Sequence, residues 1–430
     1  MTDTRRLATA GIAAIALSLI AGAGVMTAGP AQSFTSVEVT VAVGAAPEAS
    51  ALSPRGHQLY VVNGSSGTLS VVDTSTFTVT STITGLGEPS DVATLSTTDT
   101  VYVTSRFPAE LLAVLPASMA TSRLALPGTS PAQLAISPSG NTIYVTDSGG
   151  ALLQLTAVAP IPSSRLTSTL AVGGNPGPLA VSPDGAFVYV VNRQGSLIRV
   201  NAATFAVESE TPLGLNLTGI ALHTDTAYVS SATGEIYAVN LTTGSVVTHS
   251  LGGSFRDIAI AWDGSYAYLP NSLSASLDVI ALPSGTWTQS IPLTNAPFGV
   301  TVADPGISRV AYTVNRDSNT VSRLTLRPGK AGAPTGWRTK KCSVSGRTTT
   351  ARLAWQAPGA AGDFALEGYS YRWRKPSGRW SAWSYTIGVE RRGVLTGRGL
   401  RVGDRLDLQV ASLTRAGRGA SLRGECTVSR

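Results

Sequence analysis

The run "SPDGAFVYVVN" at 182–192 returns again and again along the chain, and its spacing limits the possible folds severely. Related runs are "SPRGHQLYVVN" (53–63), "SPSGNTIYVTD" (137–147) and the looser "VADPGISRVAYTVN" (302–315). One tyrosine per copy marks the period: Tyr60, Tyr102, Tyr144, Tyr189, Tyr228, Tyr268 and Tyr312 lie 39 to 45 residues apart. A repeat of this length that contains four short apolar runs is the mark of a β-propeller blade. In the first unit the runs are 50–53, 58–63, 68–74 and 78–85, rich in Val, Thr, Ile and Tyr and cut by Gly, Ser and Pro. Asp184-Gly185 invites a calcium-loop reading, but the turn changes freely between copies, and one Asp per turn cannot supply a calcium shell. It reads as a hairpin turn in which glycine takes positive φ.

The seventh unit stops early. After "TVSRLTLRPG" (320–329) no fourth strand follows, yet "SVEVTVAVG" (36–44) at the other end reads like the fourth strands elsewhere. Placing it on the seventh unit closes the ring and leaves no open sheet edge. The expected fold is therefore all-β: a seven-bladed β-propeller closed by an N-terminal strand, followed by a small β-sandwich. The expected boundaries are 1–31 signal peptide, 32–329 propeller, 330–336 linker and 337–430 sandwich.

The signal assignment rests on the basic start "MTDTRR", the apolar "GIAAIALSLIAGAGV" (11–25) and the small residues before Gln32. Arg5-Arg6 leaves both general and twin-arginine export open, and the apolar stretch also leaves an uncleaved anchor open. After signal removal no span is expected, and the location is secreted, extracellular or cell-envelope associated. Cys342 and Cys426, the chain's two cysteines, read as a disulfide in an exported protein.

The formal charge of +7 conceals a division. Residues 32–329 carry 11 Lys/Arg against 18 Asp/Glu, and residues 330–430 carry 19 against 6. A mildly acidic propeller is joined to a strongly basic tail domain. The tail's arginines are scattered over strands and loops, which disfavours a nucleic-acid partner.

With "SPDG…YVVN" and the "VVDT"-like runs in view, residues 36–329 resemble the YVTN-type propellers, related to lactonase-like seven-bladed propellers. "ARLAWQAP" (351–358), "EGYSYRWRKPSGRWSAWSYTI" (367–387) and "VLTGRGLRVGDRLDLQVASLTRAGRGA" (394–420) resemble a fibronectin type III domain. The first resemblance implies a surface protein, a binding platform or an enzyme, acting at the mouth of the central tunnel. The repeat register places Glu48, Asp91, Gln133, Asn216, Arg256 and Asp257 there from the loops entering each first strand. The loops after each "YVxN" add Arg106, Asp147, Arg193, Arg316 and Asp317. The enzymes among such relatives rely on histidine, carboxylate and arginine, or on a carboxylate-held metal. His57, His223 and His249 all fall away from the mouth, so no catalytic residue, metal or cofactor is assigned.

In the tail domain, Arg372, Trp373, Arg374, Arg379, Trp380 and Trp383 can stack across one hairpin, with core packing as the alternative for Trp373. The expected function is a non-catalytic binding or scaffold protein of the bacterial envelope, its partner a protein or an anionic envelope polymer, and the chain a monomer. The rival is an extracellular lactonase- or lyase-like enzyme that uses the acids at the mouth.

Overall fold

A computed structural model describes residues 35–429, except 96–99, 129, 158–164, 262, 304–308, 328–333, 335, 346–347, 357–365, 377, 386–391, 399–400 and 415–416. Residues 1–31, expected to be a signal peptide, therefore lie outside the described residues. Where the residues are described, the chain is strand throughout apart from one short 3-10 turn at Arg316–Ser318. Among the described residues, seven four-stranded antiparallel sheets follow one another, one per repeat, and are the blades of the propeller.

Blade one shows how sequence becomes strand. Pro47–Leu52, Gln58–Asn63, Thr68–Asp73 and Thr78–Ile83 pair in chain order. The turn joining the first two is the hairpin expected at the repeat signature. In blade four, Gly185 has φ +74° and its N–H donates to the Ser182 carbonyl at 2.8 Å. The Asp184 carboxylate accepts from the Ser182 hydroxyl at 2.5 Å and from the Ala186 N–H at 3.0 Å, so it closes its own turn. The Ser182 hydroxyl bond, followed by the backbone bond, holds its pKa below the ordinary carboxylate value.

The seven signature tyrosines are all buried. Each packs against the following blade rather than only its own. Tyr60 joins Val101, Val103 and Leu112 of blade two, Tyr268 joins Ala311 and Leu324 of blade seven, and Tyr312 joins Leu59, Val61 and Phe77 of blade one. Removing a large buried ring from such a core costs on the order of 3–5 kcal/mol.

Ring closure follows the sequence pattern, with the strand running Thr35–Ala42 instead of 36–44. It pairs antiparallel with Thr320–Arg327 in eight residue pairs, from Thr35 opposite Arg327 to Ala42 opposite Thr320. Val43 instead gives its N–H to the Asn319 carbonyl at the start of the next turn. The Glu38 carboxylate accepts from the Ser322 hydroxyl at 2.8 Å and from the Thr294 N–H at 3.0 Å, linking the start of the chain to two blades.

The tail domain is a two-layer β-sandwich. Trp337–Ser345, Thr348–Trp355 and Arg392–Arg398 form one sheet. Leu366–Arg374, Ser384–Tyr385, Arg405–Thr414 and Gly417–Ser429 form the other, and a short parallel pairing at Cys342–Val428 joins them. Trp355 is fully buried, with Tyr369 edge-on at 5.2 Å. Cys342 and Cys426 are joined as a disulfide, their Cα atoms 6.1 Å apart. Closing that 84-residue separation stabilises the domain by roughly 4 kcal/mol on the chain-entropy account.

Deleting residues 32–44 should lower the propeller's melting temperature by roughly 10 °C or more, or cause aggregation, because the Thr320–Arg327 edge becomes bare. An unchanged thermal melt of the deletion variant would contradict this closure.

Candidate functional site

A local irregularity of the innermost strands builds the tunnel mouth. In blades one to five the first residue of that strand pairs with the last residue of the second strand: Pro47–Asn63, Pro89–Ser105, Pro131–Asp147, Pro176–Asn192 and Leu217–Ser231. The register then shifts at a β-bulge. A bulge re-aims side chains, and here it lets two successive positions face the tunnel. The residue just after the opening one is Glu48, Ser90, Ala132, Gly177, Thr218, Arg256 or Phe298 in blades one to seven, and all of these line one cavity of about 200 Å³. The next position supplies Asp91, Gln133, Pro178 and Asp257 to a second cavity of about 180 Å³, deeper in the ring. The two cavities share Glu48, Gln133 and Arg256, so they form one stepped mouth.

Of the residues expected here, Glu48, Asp91, Arg106, Gln133, Arg193, Asn216, Arg256 and Asp257 line these cavities. Arg316 joins them indirectly, with its guanidinium 3.0 Å from a Glu48 oxygen and 5.2 Å from the Phe298 ring centre. Two expected residues do not belong. Asp147 ends the second strand of blade three, where other blades carry Asn63, Asn192, Asn271 and Asn315. It is buried, and its carboxylate accepts from the Ser130 N–H at 2.9 Å and the Gly149 N–H at 2.8 Å, so it ties down its own loop. Asp317 sits exposed on the Arg316–Ser318 turn, outside both cavities. Phe298, Ser90 and Thr218 are lining residues that a search for charge passes over, although they hold the same register position as Glu48.

The three acids of the mouth are all engaged. Glu48 is buried between two arginines, Arg106 at 3.4 Å and Arg316 at 3.0 Å. Asp91 accepts from its neighbour Val92 N–H and from Leu134 N–H of blade three, both at 2.9 Å. Asp257 repeats this arrangement with Ile258 N–H at 2.8 Å and Val300 N–H of blade seven at 3.0 Å. Ser90 and Thr218 also reach the next blade, donating to the Pro131 and Phe255 carbonyls at 3.0 and 2.9 Å. Burial pushes the Asp91 carboxyl up to about 7, with a further push from the charge of Asp257. Burial raises Asp257 to about 6, against the two backbone bonds that favour its charged form.

His57, His223 and His249 lie outside both mouth cavities. Among the described residues no three His, Cys, Asp or Glu side chains come together as a metal site. The aromatic hairpin of the sandwich is packed. Arg372 lies over Trp380 and Trp383 at 4.8 and 4.1 Å and bonds Gln409, while Arg374 lies over Trp380 at 4.7 Å and pairs with Asp407 at 2.8 Å. Trp373 packs against the sandwich core, and Arg379 stays exposed.

Comparison with known proteins agrees with this architecture. Residues 118–250 match the family described as outer membrane protein assembly factor BamB, a stretch that runs from the last strand of blade two to the end of blade five. No curated protein matches the chain. Among solved structures, Kuenenia stuttgartiensis hydrazine synthase is similar at 17% identity and a TM-score of 0.58, covering 65% of this chain and 95% of its own. The Cps50 (Swd1) β-propeller domain of Myceliophteria thermophila is similar at 10% identity and the same TM-score, covering 67% of this chain and 99% of its own. At these identities the likeness is one of fold: this chain carries a β-propeller.

The raised carboxyls give a pH prediction. The folded protein binds more protons than the unfolded chain between the ordinary aspartate value near 4 and the raised values of about 6 and 7. Their contribution to stability is therefore complete below about pH 4 and is lost as pH rises to about 7. Asp91→Asn should flatten that decline by a few kcal/mol, read as thermal melts from pH 4.5 to 8. A variant with the wild-type slope would show that Asp91 does not titrate there.

Proposed function

We propose that this protein is a non-catalytic binding or scaffold protein of the cell envelope, with the tunnel mouth as interaction face and the basic sandwich as tether. One observation carries the non-catalytic reading: the mouth's three carboxylates act as braces between blades, each already bound by guanidinium or backbone N–H groups. The partial match to BamB, named as an outer membrane assembly factor, supports a protein-binding role in the envelope. Among the described residues no helix is long and apolar enough to cross a membrane, which is compatible with that location. The YVTN-type and fibronectin type III resemblances refine this proposal. The arrangement of the sandwich in sheets of three and four strands supports the second of them.

The tether reading rests on how charge is divided between the two sheets. On the four-stranded side, acids are matched by bases: Arg374 with Asp407 at 2.8 Å, Arg405 with Glu425, and Lys375 with nearby Asp404 at 3.1 Å. The three strands of the other sheet contain six Lys/Arg and no Asp/Glu. Lys341 stands directly opposite Arg352, both exposed, and Arg352 stands opposite exposed Val394. Like charges facing each other across strands destabilise a sheet, so this placement suits an anionic surface that would relieve them. The packed positions of Arg372 and Arg374 move the tethering role from the hairpin to this sheet.

A second reading has one observation in its favour. Asp91 at about 7 and Asp257 at about 6, in one cavity, are placed as proton-transfer groups of a lactonase- or lyase-like enzyme would be.

The full chain should bind an anionic polymer resin, with retention lost as ionic strength brings the Debye length below about 8 Å. Lys341→Ser with Arg352→Ser should elute at clearly lower salt and melt at least as high as wild type. Equal elution of the two proteins would remove the tether. Turnover of a lactone that disappears in Asp91→Asn, with circular dichroism showing the variant folded, would replace the scaffold reading by the enzymatic one.

A further inference from the structure

Arginine is scarce in the propeller. Residues 32–329 hold 11 Lys/Arg against 18 Asp/Glu, all eleven of them arginine. Yet four of those arginines meet at one end of the tunnel. Arg106, Arg193 and Arg316 occupy one repeat position, the residue directly after the second strand of blades two, four and seven. Arg256 comes from the entry of blade six. Arg106, Arg193 and Arg256 line the same 200 Å³ cavity from three alternate blades.

The charge is not cancelled locally. Among the described residues Glu48 is the single acid lining that cavity, and it sits between Arg106 and Arg316. Arg256 makes one side-chain bond, Nε to the Ser272 hydroxyl at 3.2 Å, which leaves its terminal amino groups unbonded among the described residues. Arg193 is exposed and has no side-chain partner among them. Elsewhere in the propeller Arg123 pairs with Glu110 at 2.7 Å and Arg199 with Glu208 at 3.2 Å, while Arg55 and Arg165 are exposed and make no ion pair among the described residues, but these two do not line the mouth cavities. Gln133 and Asn216, both lining the cavity, add neutral donors. Of the deeper acids, Asp91 at about 7 carries only part of a negative charge at neutrality and Asp257 at about 6 carries most of one, so the four arginines still outnumber the acids of the mouth.

We propose that the outer cavity of the tunnel mouth is a binding site for a small oxyanion-bearing ligand, a phosphate or carboxylate group held by Arg193 and Arg256 beside the Glu48-anchored Arg106. The chemistry favours this class. A guanidinium offers a planar fork of donors that matches two oxygens of phosphate or carboxylate, and a partly enclosed cavity screens such pairs less than open surface does. A cavity of about 200 Å³ admits a phosphate or a small di- or tricarboxylate. The proposal rests on the mouth being the interaction face and names what that face takes.

Calorimetric titration of the full chain with inorganic phosphate, and separately with citrate, tests it. The starting protein is the Lys341→Ser/Arg352→Ser variant, so the basic sheet does not contribute. One saturable equivalent of either anion is expected, and the arm that binds more tightly tells phosphate from carboxylate chemistry. Arg193→Ala with Arg256→Ala should weaken it roughly tenfold or more, while Arg165→Ala, outside both cavities, should leave it unchanged. Circular dichroism melts establish that the double variant is folded. Absence of saturable binding in both arms, or binding untouched in the folded double variant, overturns the proposal. Retention on the anionic resin is read separately through Lys341 and Arg352, so failure at the mouth leaves the tether standing.

Discussion

Each blade depends on its neighbour for a core that it cannot make alone. The signature tyrosines show this most directly, since Tyr60, Tyr144 and Tyr228 lie in clusters shared with the next blade. A chain of such dependencies is stable only when the last member finds the first. Tyr312 meets Leu59 and Val61 of blade one, and the Thr35–Ala42 strand completes blade seven. The burial that drives folding is thus a property of the closed ring.

Closure also explains what sits at the mouth. Once the outer packing fixes seven innermost strands around a tunnel, their amides and carbonyls lie close together across blade boundaries. Side chains at the two positions after each opening residue can bridge them, and Ser90, Asp91, Thr218 and Asp257 all do so. Two of these bridges are half-buried carboxylates lining the deeper cavity, and loss of solvation there raises their pKa. The polar residues at this mouth therefore divide by task. The deeper ones hold blades together, and the arginines outside them face solvent with capacity left.

Much of this was legible in the sequence because repetition turns position into geometry. The tyrosine period, the stray N-terminal strand and the glycine turns each recur or complete a recurrence. Individual side chains were read less well. The repeat register groups Asp147 with the loop residues after each "YVxN", but it is the last residue of that run itself, a position held by a buried loop-closing Asn that Asp and Ser can replace. Phe298 is apolar and carries no sequence signal of a mouth residue, although it stands where Glu48 stands. In the sandwich, local spacing predicted the Arg–Trp stacking. The partners that pack it, Asp407 and Gln409, lie more than thirty residues away on another strand and have no local signal.

The two domains handle positive charge in different dielectric settings, and that difference bears on how each would be used. Lys341 and Arg352 lie on an open sheet face, where salt at physiological strength screens interactions beyond about 8 Å. Such a face attracts any extended polyanion over distance but selects poorly among them. Arg106 and Arg256 instead border a recess whose wall includes Phe298 and Pro178, so a bound anion loses part of its water and meets donors of fixed direction. Screening weakens that interaction less, and geometry governs it more. A protein held on its envelope by the first kind of contact keeps the second free to discriminate between ligands, because the weak contact concentrates the chain without occupying the mouth.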